Sequence, residues 1–244
     1  MNPYFIANFL SSITILCLGF FVLIKNKNSP INLTFFFESA CAFIWLFGYA
    51  IIYQTNSKSY ALAWAKFAYV GLIFLPVFFH HFLVSFLDLK GEMKTLRINY
   101  IISVFFLVLM ISNKLFSDLY VYYWGFYVKA TFCHTLFLLF FAFVWSKCLL
   151  ILFLRRKSKK KPIQYFFLAF AILTAASIDF LPTYNKEILP LGFMFVFTWG
   201  IIMAYTIVKN ELMDIEEAIT HATVFAVVYG FTFGLPFLLF SFFY

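Results

Sequence analysis

The side chains of this sequence that are suited to proton transfer or ligand binding are few, and they lie within long apolar runs. One set consists of Glu38, His80 and Lys147, each about five to seven residues from one end of its run. At a rise of about 1.5 Å per residue, all three would lie roughly 8–11 Å deep on the same side of a membrane. A Glu38–His80 or Glu38–Lys147 contact is therefore a candidate intramembrane polar pair. The favoured alternative is that Lys147 extends to the polar surface and Glu38 reaches water, because charges near an interface cost little.

A second group of side chains lies toward the opposite ends of the runs, where aromatic residues are frequent. A shallow cup with a few convergent polar groups is typical of a small-molecule site. The alternative is an interfacial aromatic belt, which is the commoner reason for such a pattern in membrane proteins. The candidate ligand-binding or input residues are Trp64, Lys66, Trp124, Tyr127, Asp179 and Tyr184.

The remaining residues do not form a recognisable catalytic or metal-binding motif. His80 and His134 would differ in depth by roughly 15–20 Å, which is too far for one shared ion. The sequence has neither an HExxH motif nor a Cys/His cluster, and its nine glycines form no GxG or P-loop pattern. We therefore predict no catalytic residue, no metal ligand, no cofactor and no enzymatic activity in this chain.

Composition indicates the surroundings in which these residues must be positioned. Apolar residues make up 64% of the chain and charged residues 11%, whereas a soluble domain usually has about 25% charged residues. The net charge of +8 comes mainly from basic clusters between apolar runs, which set topology and meet anionic lipid headgroups. We predict an all-α, polytopic transmembrane helical bundle of seven or eight spans, in contact with the lipid bilayer and not with nucleic acid.

The apolar runs have the length of membrane-spanning helices, about 17–25 residues, although the fourth is short. They are continuous rather than alternating, which argues against strands. We predict a seven-span membrane domain at 1–208, an acidic cytoplasmic connector at 209–222 and an eighth span at 223–244. The runs are Tyr4–Ile24, Leu33–Tyr53, Leu62–Leu87, Ile98–Ser112, Thr131–Leu154, Ile163–Leu181, Ile188–Val208 and Thr223–Tyr244.

The basic residues of the loops predict the orientation of the chain, because cytoplasmic loops carry an excess of lysine and arginine. Twelve such residues fall in one set of loops, six of them between Arg155 and Lys161. Four fall in the other set, namely Lys58, Lys114, Lys129 and Lys186. This asymmetry predicts an N-terminus outside the cytoplasm. Because the eighth run ends with the last residue, Tyr244, we expect the chain to be truncated or degenerate, since a cytoplasmic output would need another span.

Several short motifs follow one another in a characteristic order. They are Phe43–Tyr49, Ala63–Gly71 continuing through Pro76 to His80–Phe82, Trp124–Tyr127, Gln164–Phe170, Asp179–Tyr184, Tyr205–Ile215 and Gly234–Phe237. In these motifs and their order, the chain resembles the N-terminal seven-transmembrane sensory region of bacterial membrane histidine kinases over most of its length. Asn185 and Glu211 depart from the residues common in that family, and the kinase modules that follow in relatives are missing.

The resemblance implies a sensor or signal-input domain, of unknown ligand, in a bacterial inner membrane. It places the signal-output junction at Leu212, Met213 and Asp214, and it leaves room for a homodimer and for a separate signalling partner on the cytoplasmic side. One alternative is a small transporter or permease, which the location of charged residues near the two faces disfavours. Another is a non-catalytic remnant or subunit of a membrane complex. A membrane enzyme is the third alternative.

Overall fold

The computed structural model describes residues 2–155 and 162–211, and within these ranges it is a helical bundle. Seven of its helices are long and apolar enough to cross a membrane, which confirms the predicted all-α polytopic fold. The helices are α1 (Pro3–Lys25), α2 (Pro30–Gln54), α3 (Lys58–Leu87), α4 (Met93–Ile111), α5 (Phe132–Arg155), α6 (Pro162–Ala175) and α7 (Gly192–Glu211).

Two short segments interrupt the simple helical pattern. A 3-10 turn, Lys90–Glu92, leads into α4, so this span starts earlier than the short run Ile98–Ser112 suggested. A nine-residue 3-10 helix, Ala176–Tyr184, continues α6 and is called the 3-10 segment below. The predicted output junction Leu212–Asp214, the eighth span at 223–244 and most of the connector at 209–222 lie outside the described residues.

A β-hairpin, which the sequence analysis missed, joins α4 to α5. Strand β1 (Phe116–Tyr122) pairs antiparallel with β2 (Gly125–Ala130), and the pairing of Tyr122 with Gly125 leaves a two-residue turn. Gly125 has a φ of +136°, and a side chain there would approach the Cα of Tyr53 to 3.1 Å, so only glycine fits. The end of the bundle that carries this hairpin is called the hairpin side.

Asn2 fastens the hairpin to the first two helices. Its Oδ1 accepts a hydrogen bond from the Tyr4 N–H at 2.9 Å and so caps α1. Its Nδ2 donates to the carbonyls of Tyr53 and Trp124, both at 2.8 Å. One side chain therefore joins the start of α1, the end of α2 and the turn of the hairpin.

Small residues let α2 and α3 approach closely. Gly48 faces Ala68, and a Cβ at Gly71 would collide with the carbonyl oxygen of Cys41 and approach the Trp45 nitrogen to 3.0 Å. Lipid tails are as apolar as core side chains, so helices in a bilayer associate largely through such close packing. The α2–α3 pair is thus the packing centre on which α1 and the hairpin rest.

The replacement Gly71→Ala tests this close approach. The new methyl group would meet backbone atoms of α2 that cannot rotate away, so α2 and α3 must separate. We expect a cost of about 1–3 kcal/mol and a melting temperature lower by several degrees, measured on the full chain in detergent. Gly91→Ala is the matched control, because nothing lies within 4 Å of a Cβ there. Equal melting temperatures for the two variants would contradict the packing described.

Candidate functional site

The 3-10 segment is the unusual element of the hairpin side. A 3-10 run longer than about four residues is uncommon and often marks a hinge or strain, and this one has nine residues. Pro182 lies inside it and has no N–H, so the carbonyl of Asp179, three residues earlier, lacks its 3-10 partner. The hydroxyl of Tyr127 on β2 donates to that carbonyl at 2.5 Å and satisfies it.

A second tyrosine of the hairpin makes a similar contact. Tyr122 donates its hydroxyl hydrogen to the carbonyl of Pro182 at 2.8 Å. The ring of Trp124, which is 1% exposed, stacks on Tyr122 with centroids 4.6 Å apart and planes 12° apart. The hairpin therefore holds the 3-10 segment through two tyrosine hydroxyls, one of which is braced by a buried indole.

Both hydroxyls remain neutral donors at physiological pH. Burial raises the pKa of Tyr127 well above its ordinary value, and the nearby Tyr49, Tyr53 and Asp179 raise it further. Burial is also the main reason that the pKa of Tyr122 is raised. A phenol with a raised pKa keeps its proton, so each contact to the 3-10 segment is a hydroxyl donating to a carbonyl.

The side chain of Asp179 joins the 3-10 segment to the last described helix. It is buried, and its Oδ1 accepts a hydrogen bond from the backbone N–H of Gly192, the first residue of α7, at 2.8 Å. A carboxylate is favourable at a helix N-terminus, where backbone N–H groups lack partners. A Cβ at Gly192 would collide with this carboxylate, so the carboxylate can approach the N–H of residue 192 only because that residue is glycine.

A hydrogen-bonded chain runs from the end of the 3-10 segment into the bundle. Tyr184, which is 38% exposed, contacts His134 Nδ1 and Thr135 Oγ1 through its hydroxyl, each at 3.1 Å. The other ring nitrogen of His134, Nε2, lies 2.7 Å from the hydroxyl of Tyr69 on α3. His134 is fully buried, so this chain connects a partly exposed phenol to the interior.

The structure brings four of the six predicted input residues together. Trp124, Tyr127, Asp179 and Tyr184 all lie in the hairpin, in the 3-10 segment or at their contact. Trp64 and Lys66 lie apart from them. The ring of Trp64 packs against Phe47, Tyr60 and Phe67 on the α2–α3 surface, and Lys66 has no ion pair within the described ranges.

Residues that the sequence analysis missed complete this site. The hydrogen bonds described above also involve Tyr122, Thr135 and Gly192. Lys58 and Asp118 form an exposed ion pair of 2.6 Å between α3 and β1, and the hydrogen bond from Lys58 lowers the pKa of Asp118. One sequence signal for this site was available, namely the three-residue spacing of Asp179 and Pro182. In a 3-10 helix this spacing leaves the Asp179 carbonyl without a donor, because proline has no N–H.

A second polar cluster lies at the opposite end of the bundle and is centred on Glu92. Lys147 on α5 donates to Glu92 at 2.5 Å, and His80 Nε2 on α3 is 3.6 Å from the same carboxylate. Asn99 on α4 donates to His80 Nδ1 at 3.0 Å. This cluster links α3, α4 and α5, and within the described residues no three His, Cys, Asp or Glu side chains are grouped to hold a metal.

Glu38 does not take part in these contacts. It is fully buried on α2, and neither carboxylate oxygen has a hydrogen-bond partner among the residues that the structure describes. Glu92 instead connects two of the three predicted members of the polar pair, His80 and Lys147. The helical rise predicted a common depth for the three residues, but depth does not determine the direction in which each side chain points around its helix.

Comparison with known proteins places the chain in a protein family. The sequence profile of the family described as the N-terminal 7TM region of histidine kinase matches residues 7–216. This range takes in the hairpin, the 3-10 segment and nearly all of the seven described spans. No curated protein matches the chain.

Removal of the Tyr127 hydroxyl tests how the hairpin holds the 3-10 segment. Tyr127→Phe would leave the Asp179 carbonyl without a donor, because Pro182 supplies none. We expect a loss of about 1–3 kcal/mol, measured as a lower melting temperature of the full chain in detergent. The control Tyr60→Phe removes the hydroxyl of a tyrosine that is 53% exposed and should have no effect. A Tyr127→Phe protein as stable as this control would show that the contact contributes nothing.

The Glu92 cluster makes a separate prediction about the opposite end. Glu92→Gln removes the charge that Lys147 and His80 share, so the partly buried lysine loses its counter-ion. We expect a lower melting temperature, with an effect that persists in high salt because buried pairs are poorly screened. The control is Asp88→Asn, at an exposed position next to the same turn. If both variants melt alike, Glu92 does not connect α3, α4 and α5 energetically.

Proposed function

Since this chain belongs to the family of N-terminal seven-transmembrane regions of histidine kinases, we propose that it is the signal-input domain of a receptor in a bacterial inner membrane. Its hairpin side faces outward in this proposal, in line with the excess of lysine and arginine in the loops at the other end. The phosphotransfer chemistry belongs to a kinase module or partner beyond the matched residues, and the bundle acts as a homodimer.

The observation that carries this proposal is the contact between Asp179 and the Gly192 N–H. It connects the 3-10 segment, which the hairpin holds, to the first turn of α7. Helix α7 then crosses the bundle to Glu211. The residues that follow directly in the sequence are Leu212, Met213 and Asp214, the proposed output junction. A change at the hairpin side can therefore reach the cytoplasmic side through one continuous helix.

The 3-10 segment supplies the two states that signalling requires. A 3-10 helix rises about 2.0 Å per residue and an α-helix about 1.5 Å. Conversion of nine residues would therefore change the length of the segment by about 4–5 Å. A stimulus shifts such an equilibrium only if it binds the two states with different affinity. The hairpin tyrosines favour the 3-10 state, because Tyr127 satisfies the Asp179 carbonyl that this state leaves free. Tyr122 adds a second donor to the Pro182 carbonyl, which also accepts from the Asn185 N–H at 3.2 Å.

The input surface in this proposal comprises Trp124, Tyr127, Asp179 and Tyr184. They occupy the boundary between the hairpin, which is exposed at Val121 and Tyr123, and the partly buried 3-10 segment. Trp64 and Lys66 contribute to the α2–α3 surface instead. A molecule that displaced the hairpin would remove the tyrosine donors of the Asp179 and Pro182 carbonyls together and so act directly on the 3-10 segment.

A fusion of residues 1–216 to a histidine-kinase module tests the proposal. Gly192→Ala would push the Asp179 carboxylate away from α7, and we expect basal autophosphorylation in membrane vesicles to change at least about fivefold. Asp179→Asn should have a smaller effect, because the amide oxygen can still accept the Gly192 N–H. Gly91→Ala, at an open position on the other side, should leave output unchanged.

The order of these effects is the decisive result. If the Gly192→Ala fusion folds correctly and its autophosphorylation is unchanged, the Asp179–Gly192 contact does not transmit the signal into α7. Folding is checked by the melting temperature and by a monodisperse elution profile of each variant. An effect of Gly91→Ala equal to that of Gly192→Ala would mean that the fusion responds to any substitution and not to this contact.

A further inference from the structure

A cavity of about 330 Å³ lies between α5 and the 3-10 segment, toward the middle of the bundle. Four aromatic side chains contribute to its wall: Trp45, Phe141, Trp145 and Phe180. Its volume is at the lower end of the range for small-molecule sites, which are mostly apolar with a few polar groups. The cavity is separate from the hairpin contacts, although Phe180 and Ser177 belong to the 3-10 segment that those contacts hold.

The mouth of the cavity faces lipid rather than water. Its exposed lining residues include Ala142 and Ser146 on α5 and Ser177 on the 3-10 segment. Large apolar side chains beside them, such as Leu139 and Phe143, are more than 60% exposed, as expected for a surface in contact with acyl chains. A molecule that reaches this cavity must therefore dissolve in the bilayer first.

The hydroxyl groups at the cavity determine which polar group such a molecule needs. Ser177 donates its hydroxyl hydrogen to the Thr174 carbonyl at 2.7 Å. Thr174 donates to the Phe170 carbonyl at 2.8 Å and accepts from Trp145 Nε1 at 2.9 Å. The hydrogens of Ser177 and Thr174 are thus used, while the Ser177 oxygen keeps an accepting lone pair. The third hydroxyl of the lining, that of Ser146, can donate or accept. A matching ligand donates a hydrogen bond, as an alcohol does.

We propose that this cavity binds a single-chain hydrocarbon of medium length that carries a hydroxyl group and enters from the bilayer, and that such a molecule is the stimulus of the input domain. The second part rests on the proposed function. The chain of the ligand contacts Phe141, Trp145 and Phe180, and its hydroxyl donates to Ser177. Because Ser177 and Phe180 flank Asp179, a bound ligand stabilises one conformation of the 3-10 segment and so acts on α7.

Photolabelling of the full chain in lipid nanodiscs tests the binding site without any kinase. The reagent is decan-1-ol with a diazirine in its chain, and labelled residues are identified by mass spectrometry. We expect saturable labelling of residues 138–146 and 173–180, displaced by excess unlabelled decan-1-ol. The methyl ether of decanol cannot donate a hydrogen bond, so it should compete about two- to tenfold less well.

Two matched variants separate cavity binding from simple partition into lipid. Ala142→Phe places a ring in the mouth and should reduce saturable labelling at least about fivefold. Ala175→Phe makes the same change at an exposed position outside the cavity and should not reduce it. If Ala142→Phe does not fold, Ser177→Ala replaces it and should abolish the preference for the alcohol over its ether.

The outcomes are distinct. Labelling that excess decanol does not displace, and that extends equally to the exposed face of α4 at Ile101 and Phe105, overturns the site. Saturable labelling with no change in the kinase fusion overturns the stimulus role while leaving the site intact. Both the binding site and the stimulus role are supported if labelling is saturable and decan-1-ol changes autophosphorylation of the kinase fusion. Ala142→Phe should remove this change, and Ala175→Phe should keep it. If Gly192→Ala changes autophosphorylation of the kinase fusion but the cavity residues are not labelled, the proposed function is supported and only this inference is overturned.

Discussion

A backbone carbonyl without a hydrogen-bond donor is costly inside a membrane, because no water is present to replace the missing N–H. Pro182 creates such a carbonyl at Asp179, within the 3-10 segment that ends the sixth span. The hydroxyl of Tyr127 satisfies it, and Tyr122 makes the matching contact to the Pro182 carbonyl. The position of the hairpin and the helical form of the segment are therefore linked through the same hydrogen bonds.

This link explains why an aromatic hairpin lies against the end of a helical bundle. Tyrosine provides a hydroxyl donor on a ring that packs against apolar neighbours, so it can satisfy a buried carbonyl without burying a charge. The Asn2 contacts fix the turn of the hairpin to α1 and α2, and Gly125 lets the chain pass close to Tyr53. The hairpin is consequently attached to the bundle at its turn as well as along β2.

The two ends of the bundle differ in how their helices are joined. At the end opposite the hairpin, Glu92 at the start of α4 pairs with Lys147 on α5 and lies 3.6 Å from His80 on α3. Toward the hairpin side, a cavity lies between α5 and the 3-10 segment. Two tyrosine hydrogen bonds connect that segment to the hairpin, and one hydrogen bond from Gly192 connects it to α7. In the proposed function, a change in the 3-10 segment reaches α7 at the hairpin side, while the Glu92 contacts join the helices at the other end.

The sequence by itself determined the membrane class and the all-α polytopic fold, and it predicted which residues lie at similar depth. Long apolar runs and the helical rise fix these properties, and neither depends on how helices are arranged around one another. The similar depth of His80 and Lys147, which both lie within 4 Å of Glu92, could be predicted in this way, and so could the grouping of Asp179 with aromatic residues of the hairpin side. The hairpin itself was missed because a search for continuous apolar runs does not detect a short alternating segment between two spans.

Only the tertiary structure decided which of these residues meet. Glu92 rather than Glu38 contacts His80 and Lys147, and Trp64 and Lys66 are separated from the other predicted input residues. Likewise, the 3-10 form of Ala176–Tyr184 depends on tyrosines about 55 residues earlier in the chain, and the Asp179–Gly192 contact depends on how α7 packs. The physical reason is that apolar pattern and rise per residue specify height along a helix axis, whereas side-chain contacts depend on rotation about that axis and on the neighbours that packing brings together.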